Sequence, residues 1–187
     1  MIHLYTGSGK GKTTAAVGLC IRASGQGFRV YFAQFMKGND TGELYVLEKL
    51  PDVTILRSEK NFGFYSSMSK ADKVELTKIH NQILDELISV AESGACQMIV
   101  MDEVTYPVKW GLLDVEKLKR LLAFGKACGT ASGKASDIEE TVGETELILT
   151  GRDAADFLKN AADYITDMEC VRHPYEKGVR ARRGIEF

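Results

Sequence analysis

Thr6-Gly7-Ser8-Gly9-Lys10-Gly11-Lys12-Thr13-Thr14 follows a short β-rich run, Ile2 to Tyr5, and leads into a helical stretch from Thr13 to Ser24 that Gly25 and Gly27 end. A glycine-rich turn between a strand and a helix lets main-chain N–H groups converge on phosphate oxygens, and the helix N-terminus adds positive dipole at the same point. Lys12 reaches phosphate oxygens as a point charge, and the Thr13 hydroxyl can bind the magnesium that bridges them. The usual spacing is Gly, four residues, then Gly-Lys-Ser/Thr. Here Thr6 stands at the first Gly position. A plain glycine turn is the competing reading, but it does not account for a strand before and a helix after.

Outward from this loop, β-rich runs alternate with helical patterns. Arg29 to Gln34 reads as a second strand, Glu43 to Leu50 as a short helix stopped by Pro51, and Val53 to Arg57 as a third strand. Lys70 to Glu92 carries Val74, Leu76, Ile79, Ile83, Leu84, Leu87, Ile88 and Ala91 at helical spacing. Met98 to Met101 is continuously apolar, as a strand buried on both faces should be. Val115 to Phe124 reads as helix, Leu147 to Thr150 as strand, Asp153 to Ala161 as helix and Tyr164 to Val171 as the last strand. The βαβ order predicts one α/β domain over 1–187, a parallel sheet with helices on both faces. Ligands in such sheets bind at the carboxyl ends of the strands. Residues 125–146, rich in Gly, Ala, Ser and Thr and then acidic, read as a surface insertion. Gly133-Lys134 within it is a decoy, with no strand before it.

Composition narrows the function classes. The chain has 187 residues, 24 Lys plus Arg against 26 Asp plus Glu, and 44% apolar residues. That is a length for one domain with a full core. A net charge of −2 argues against binding bulk nucleic acid through charge. No apolar run approaches the roughly 20 residues of a membrane span, and the opening Met1-Ile2-His3-Leu4-Tyr5 is not a signal peptide. Cys20, Cys96, Cys128 and Cys170 are scattered, which reads as free thiols in a cytoplasmic protein.

Met98-Ile99-Val100-Met101 ends in Asp102-Glu103. An apolar strand ending in acid places a carboxylate where it can hold magnesium, directly or through water. A turn-capping Asp is the ordinary reading of such a residue alone, and the phosphate loop outweighs it. The guanine-reading Asn-Lys-x-Asp is missing from the chain, which sets aside GTP switches. A small-molecule kinase and a non-catalytic ATP-dependent carrier or sensor stay open on these residues.

Several blocks resemble the phosphate-loop ATP:corrinoid adenosyltransferases. They are Gly7 to Ala16, Ala33-Gln34-Phe35-Met36-Lys37-Gly38 with Gly42-Glu43, Met101 to Tyr106 with Lys109 to Asp114, Leu149 to Ala154, and the closing segment Val171 to Phe187. The resemblance runs through nearly the whole chain except 125–146. It implies a three-layer, RecA-like P-loop NTPase fold and transfer of the 5′-deoxyadenosyl group of ATP to the Co(I) of a corrinoid, with release of tripolyphosphate. Co(I) is itself a strong nucleophile, so no catalytic Ser, Cys or general base is required. The protein must align cobalt with the 5′ carbon and stabilise the leaving polyphosphate. Lys10 and Lys12 are the catalytic candidates, with Gly7, Ser8, Gly9, Lys10, Gly11, Lys12, Thr13 and Thr14 holding nucleotide and Thr13, Asp102 and Glu103 holding Mg2+. Arg22 matches a family position that contacts the nucleotide.

On the corrinoid side the resemblance implies aromatic side chains against the lower face of the ring, and the matching segment Asn61-Phe62-Gly63-Phe64-Tyr65 offers Phe62 and Phe64. The family pattern is Gly-Phe-x-Trp, so Asn61 and Phe64 depart from it. The tail over 172–187 carries Arg172, Lys177, Arg180, Arg182 and Arg183 and ends in Gly184-Ile185-Glu186-Phe187. It is expected to dock near the site, with His173 beside phosphate or corrinoid. The family often carries a covering segment ahead of the first strand, where this chain has Met1 alone. A homodimer and a reduced flavoprotein electron donor are also implied. Complete cobalamin and a precursor corrinoid are both open as substrates.

Overall fold

The computed structural model describes residues 1–126 and 145–186. Six strands make one sheet: β1 (Ile2–Thr6), β2 (Val30–Gln34), β3 (Val53–Arg57), β4 (Met98–Asp102), β5 (Glu146–Thr150) and β6 (Tyr164–Asp167). Their order is β3-β2-β4-β5-β1-β6, and all neighbours are parallel. The helices are α1 (Lys12–Ser24), α2 (Leu44–Leu47), α3 (Lys70–Glu92), α4 (Thr105–Trp110), α5 (Val115–Lys126) and α6 (Asp156–Ala161). This is the three-layer α/β architecture expected of a phosphate-loop protein.

Alternation along the strands builds two cores. Ile99 and Met101 of β4, with Leu147 and Leu149 of β5, face Ile83, Leu84, Leu87 and Ile88 of α3 and Leu118, Leu121 and Leu122 of α5. Met98, Val100 and Ile148 face the other way, onto Ala16, Cys20 and Ala23 of α1 and Leu47 of α2. Every residue of β4 is buried, which is why its sequence reads as unbroken apolar character. Ser69 caps α3 by accepting from the Asp72 N–H, and the Asp72 carboxylate accepts from the Ser69 N–H in return, at 3.1 Å each.

Four elements differ from the sequence expectation. The helix expected over Glu43 to Leu50 is confined to Leu44–Leu47, because the chain tightens there into turns, with Lys49 N–H bonded to the Val46 carbonyl and Leu50 N–H to the Leu47 carbonyl. The helix α4 was not anticipated: Pro107 sits inside its six residues and Gly111 (φ 66) closes it. The last strand is shorter than 164–171, because Met168 leaves the sheet to pack on the phosphate loop. The helix expected from Asp153 starts at Asp156, since Asp153 takes a left-handed backbone (φ 52). The insertion and its Gly133-Lys134 fall almost wholly on 127–144, outside the described residues.

Candidate functional site

The carboxyl ends of β1, β2 and β4 open onto one cleft of about 990 Å3. Its walls include Lys10, Thr13 and Thr14 from the phosphate loop, Lys37 and Glu43 after β2, Phe64, Glu103 after β4, and Ile185 and Glu186 of the tail. Three non-glycine residues with positive φ stand just past neighbouring strands on this side: Met36 (φ 59) after β2, Glu103 (φ 64) after β4 and Asp153 (φ 52) after β5. Such conformations persist where the surroundings over-determine them.

The phosphate loop is tied to itself and to the chain that follows β6. Lys12 is 7% exposed, and its ammonium donates to the carbonyls of Gly7 at 2.8 Å and Gly9 at 2.6 Å. Burial, and then the Arg152 charge, hold its pKa below the usual lysine value. Gly9 N–H donates to the Met168 carbonyl, and Cys170 N–H donates to Ser8 Oγ at 3.2 Å. A Cβ on Gly9 would meet the Met168 and Glu169 carbonyl oxygens at 2.6 and 2.7 Å, so glycine is required there by the backbone of 168–169.

Asp102 is fully buried and its carboxylate is shared by three donors. Thr13 Oγ1 donates to Oδ1 at 2.9 Å and Thr150 Oγ1 at 2.7 Å. Lys37 Nζ donates to Oδ2 at 2.7 Å, with Glu43 3.7 Å away. Burial pushes the Lys37 ammonium down, but Asp102, Glu103 and Glu43 outweigh it and its pKa rises. Burial, and then the Asp102 charge, raise Glu103 above the usual carboxylate value. Strand β5 lies between β1 and β4, so the loop meets the carboxylate through the Thr13 side chain and Thr150, not through adjacent strands.

Lys10, Thr13, Thr14 and Glu103, expected from the sequence, all line the cleft. Lys37, Thr150 and Arg152 were not expected there, and their position at or just past the end of a strand is the signal that could have found them; Glu43, at the N-cap of α2, carries no such signal. The aromatic pair is split. Phe64 is 85% exposed and lines the cleft. Phe62 packs instead with Met68, Leu76 and Leu112 beside Tyr65 and Trp110. Arg22 does not come to the cleft: it sits in the last turn of α1 and lines a second cavity with Met1, His3, Phe28, Met98 and Tyr164, at the amino ends of the strands. Ten residues of helix put it about 15 Å from Lys12. His173 caps the short turn Pro174–Lys177, its Nδ1 accepting from the Tyr175 N–H at 3.1 Å, and is not part of the cleft wall. No helix among the described residues is long and apolar enough to cross a membrane.

Sheet order, loop and strand-end carboxylate define an α/β phosphate-loop protein of nucleotide-binding type. The family described as ATP:corrinoid adenosyltransferase BtuR/CobO/CobP matches residues 1–131 and 134–187. A corrinoid adenosyltransferase of a Sinorhizobium species is 30% identical over the whole of this chain and 80% of its own length. Corrinoid adenosyltransferase CobA of Salmonella typhimurium is 29% identical over the whole chain and 85% of its length. The corresponding Pseudomonas aeruginosa protein is 26% identical over the whole chain and 83% of its length. The chain belongs to the ATP:corrinoid adenosyltransferase family.

Proposed function

We propose that the cleft is where this adenosyltransferase aligns ATP with a Co(I) corrinoid, the polyphosphate lying against the phosphate loop and the corrin against Phe64 and Ile185. The observation that carries the reading is that one cavity is lined by Lys10, Thr13 and Thr14 on one side and an almost fully exposed phenylalanine on another. A volume of about 990 Å3 is at the upper end for small-molecule sites, in keeping with two reactants. The family assignment supports adenosyl transfer over the kinase and the carrier or sensor.

In the reaction the cobalt lone pair forms a bond to C5′ of the ribose, and the C5′–O bond breaks with its electrons leaving on tripolyphosphate. The α1 N-terminus, Lys10 and Lys12 offer fixed positive charge to that leaving group. Thr13, Asp102 and Glu103 form an all-oxygen donor set of the kind Mg2+ takes, and the ion, held by these residues with the phosphates, would add charge neutralisation. The Lys12 ammonium exchanges the Gly7 and Gly9 carbonyls for phosphate oxygens. Phe64 sheds water from the corrin face, with Phe62 as its footing in the small cluster beneath. Arg22 and His173 have nucleotide and corrinoid roles only through a second chain or a moved tail. A homodimer, a reduced flavoprotein donor and a cytoplasmic location accompany this reading; the free thiols of Cys20, Cys96 and Cys170 suit the last.

The test is anaerobic incubation with ATP and a chemically reduced corrinoid. A cobalt–carbon bond by absorbance, with one tripolyphosphate per corrinoid, is the expected result. ADP with a phosphorylated acceptor, or binding without turnover, would overturn it.

A further inference from the structure

His80 lies in the apolar stripe of α3 and is 1% exposed. Both ring nitrogens are engaged. Nδ1 stands 3.0 Å from the Leu112 carbonyl oxygen, and Nε2 stands 3.4 Å from the Met36 backbone nitrogen. A carbonyl can only accept and an amide N–H can only donate, so the two contacts together admit one ring state: neutral, with the proton on Nδ1. The Phe35 ring, 5.3 Å away, closes the pocket around it, and burial holds the ring neutral down to about pH 4.

Met36 is the residue with φ 59 just past β2, a conformation that a Met adopts only when its neighbours impose it. The next residue is Lys37, whose ammonium sits 2.7 Å from Asp102 Oδ2. Asp102 in turn accepts from Thr13 at the start of α1. One continuous set of contacts thus runs from the buried face of α3 to the phosphate loop.

We propose that His80 is a positioning residue for the nucleotide wall of the cleft: as the neutral Nδ1–H tautomer it ties the Leu112 carbonyl to the Met36 amide and holds the turn that delivers Lys37 to Asp102. The consequence for ATP rests on the cleft being the nucleotide site; the ring state and the Lys37 contact do not.

Nitrogen NMR of the full chain at neutral pH should find His80 protonated on Nδ1 and bare on Nε2; the opposite tautomer or an imidazolium overturns the proposal, whether or not adenosyl transfer is found. Calorimetric titration with ATP then follows the variants. His80→Asn keeps a donor for Leu112 but falls short of Met36, so its dissociation constant for ATP should rise about tenfold, the worth of one hydrogen bond, with kcat changed less than twofold. His80→Gln restores an acceptor at the Met36 amide and should recover to within about threefold of the parent. In a Lys37→Met background the Asn substitution should add nothing, because its effect passes through Lys37. Equal loss in Asn and Gln, or the same tenfold loss without Lys37, reduces His80 to core packing and overturns the assignment.

Discussion

Lys12 holds two main-chain carbonyls of its own loop, and in the proposed function a nucleotide displaces both. The exchange favours phosphate because an ammonium bonds an anionic oxygen more strongly than a neutral carbonyl. Lys12→Ala should weaken ATP by about 100-fold, the worth of one strong charged hydrogen bond, measured by calorimetry, with the melting temperature little changed. Two glycines separate close approach from flexibility. Gly9→Ala drives a methyl into the fixed backbone of 168–169 and should abolish ATP binding. Gly18→Ala, where nothing lies within 4 Å, should raise stability by about 1 kcal/mol through helix propensity alone. His80 sets a pH dependence of stability. Its folded pKa is lowered from 6.5 to about 4 by burial, against a smaller opposing pull from the Leu112 carbonyl. The unfolded chain therefore binds the extra proton first, and the contribution is whole above pH 6.5 and lost as pH falls towards 4. The loss is roughly 3 kcal/mol at about 1.4 kcal/mol per unit. Denaturant midpoints across that window should drop in the parent and stay flatter in His80→Gln; parallel curves would contradict it.

Elements decide which named residues reach the chemistry. In the segment 61–65, Gly38 sets the packing: its ideal Cβ would meet Asn61 Cα at 2.6 Å, so the loop after β2 and the loop after β3 close on each other only through a glycine. With that contact made, Phe62 turns down onto Leu76 and Leu112 while Phe64 stays outside. Phe64→Ala should therefore spare activity on pre-reduced Co(I) and lose activity that starts from Co(II). Phe62→Ala should lower thermal stability as well as both activities. Assays from the two cobalt states, paired with melting curves, check this; identical behaviour of the two variants would remove the distinction. The element pattern was legible where periodicity was long, as in α3, whose apolar spacing runs from Val74 to Ala91. It was not legible in α4, where a proline in six residues hides a single helical turn and a half. The half-burial of Phe62 against exposure of Phe64 depends on tertiary partners from α3 and residue 112, which no local pattern encodes. Arg22 matches a family position that contacts the nucleotide, but α1 carries it to the amino ends of the strands, away from the loop.

At the scale of the molecule, the two ends of the chain meet at the phosphate loop. The loop leaves β1 near the N-terminus, and the segment after β6 packs on it through the Gly9 and Ser8 contacts with Met168 and Cys170. From there the chain runs through its basic tail, and Gly184, Ile185 and Glu186 return to the cleft beside Lys10. Arg180, Arg182 and Arg183 stay exposed, and Arg182 pairs with Glu186 at 3.1 Å. The order of the tail is thus set by the loop at one end and the cleft at the other. A ligand that bridges loop and cleft should hold the tail in place. With ATP at 100 times its dissociation constant the bound state gains about 2.7 kcal/mol. Tryptic cleavage after Arg180, Arg182 and Arg183 should then slow by up to about 100-fold, provided the tail opens and recloses faster than it is cut. Lys12→Ala should show no such protection at the same ATP concentration. Cleavage at an unchanged rate in the parent would mean that the tail's place against Lys10 and Thr13 is independent of what the loop holds.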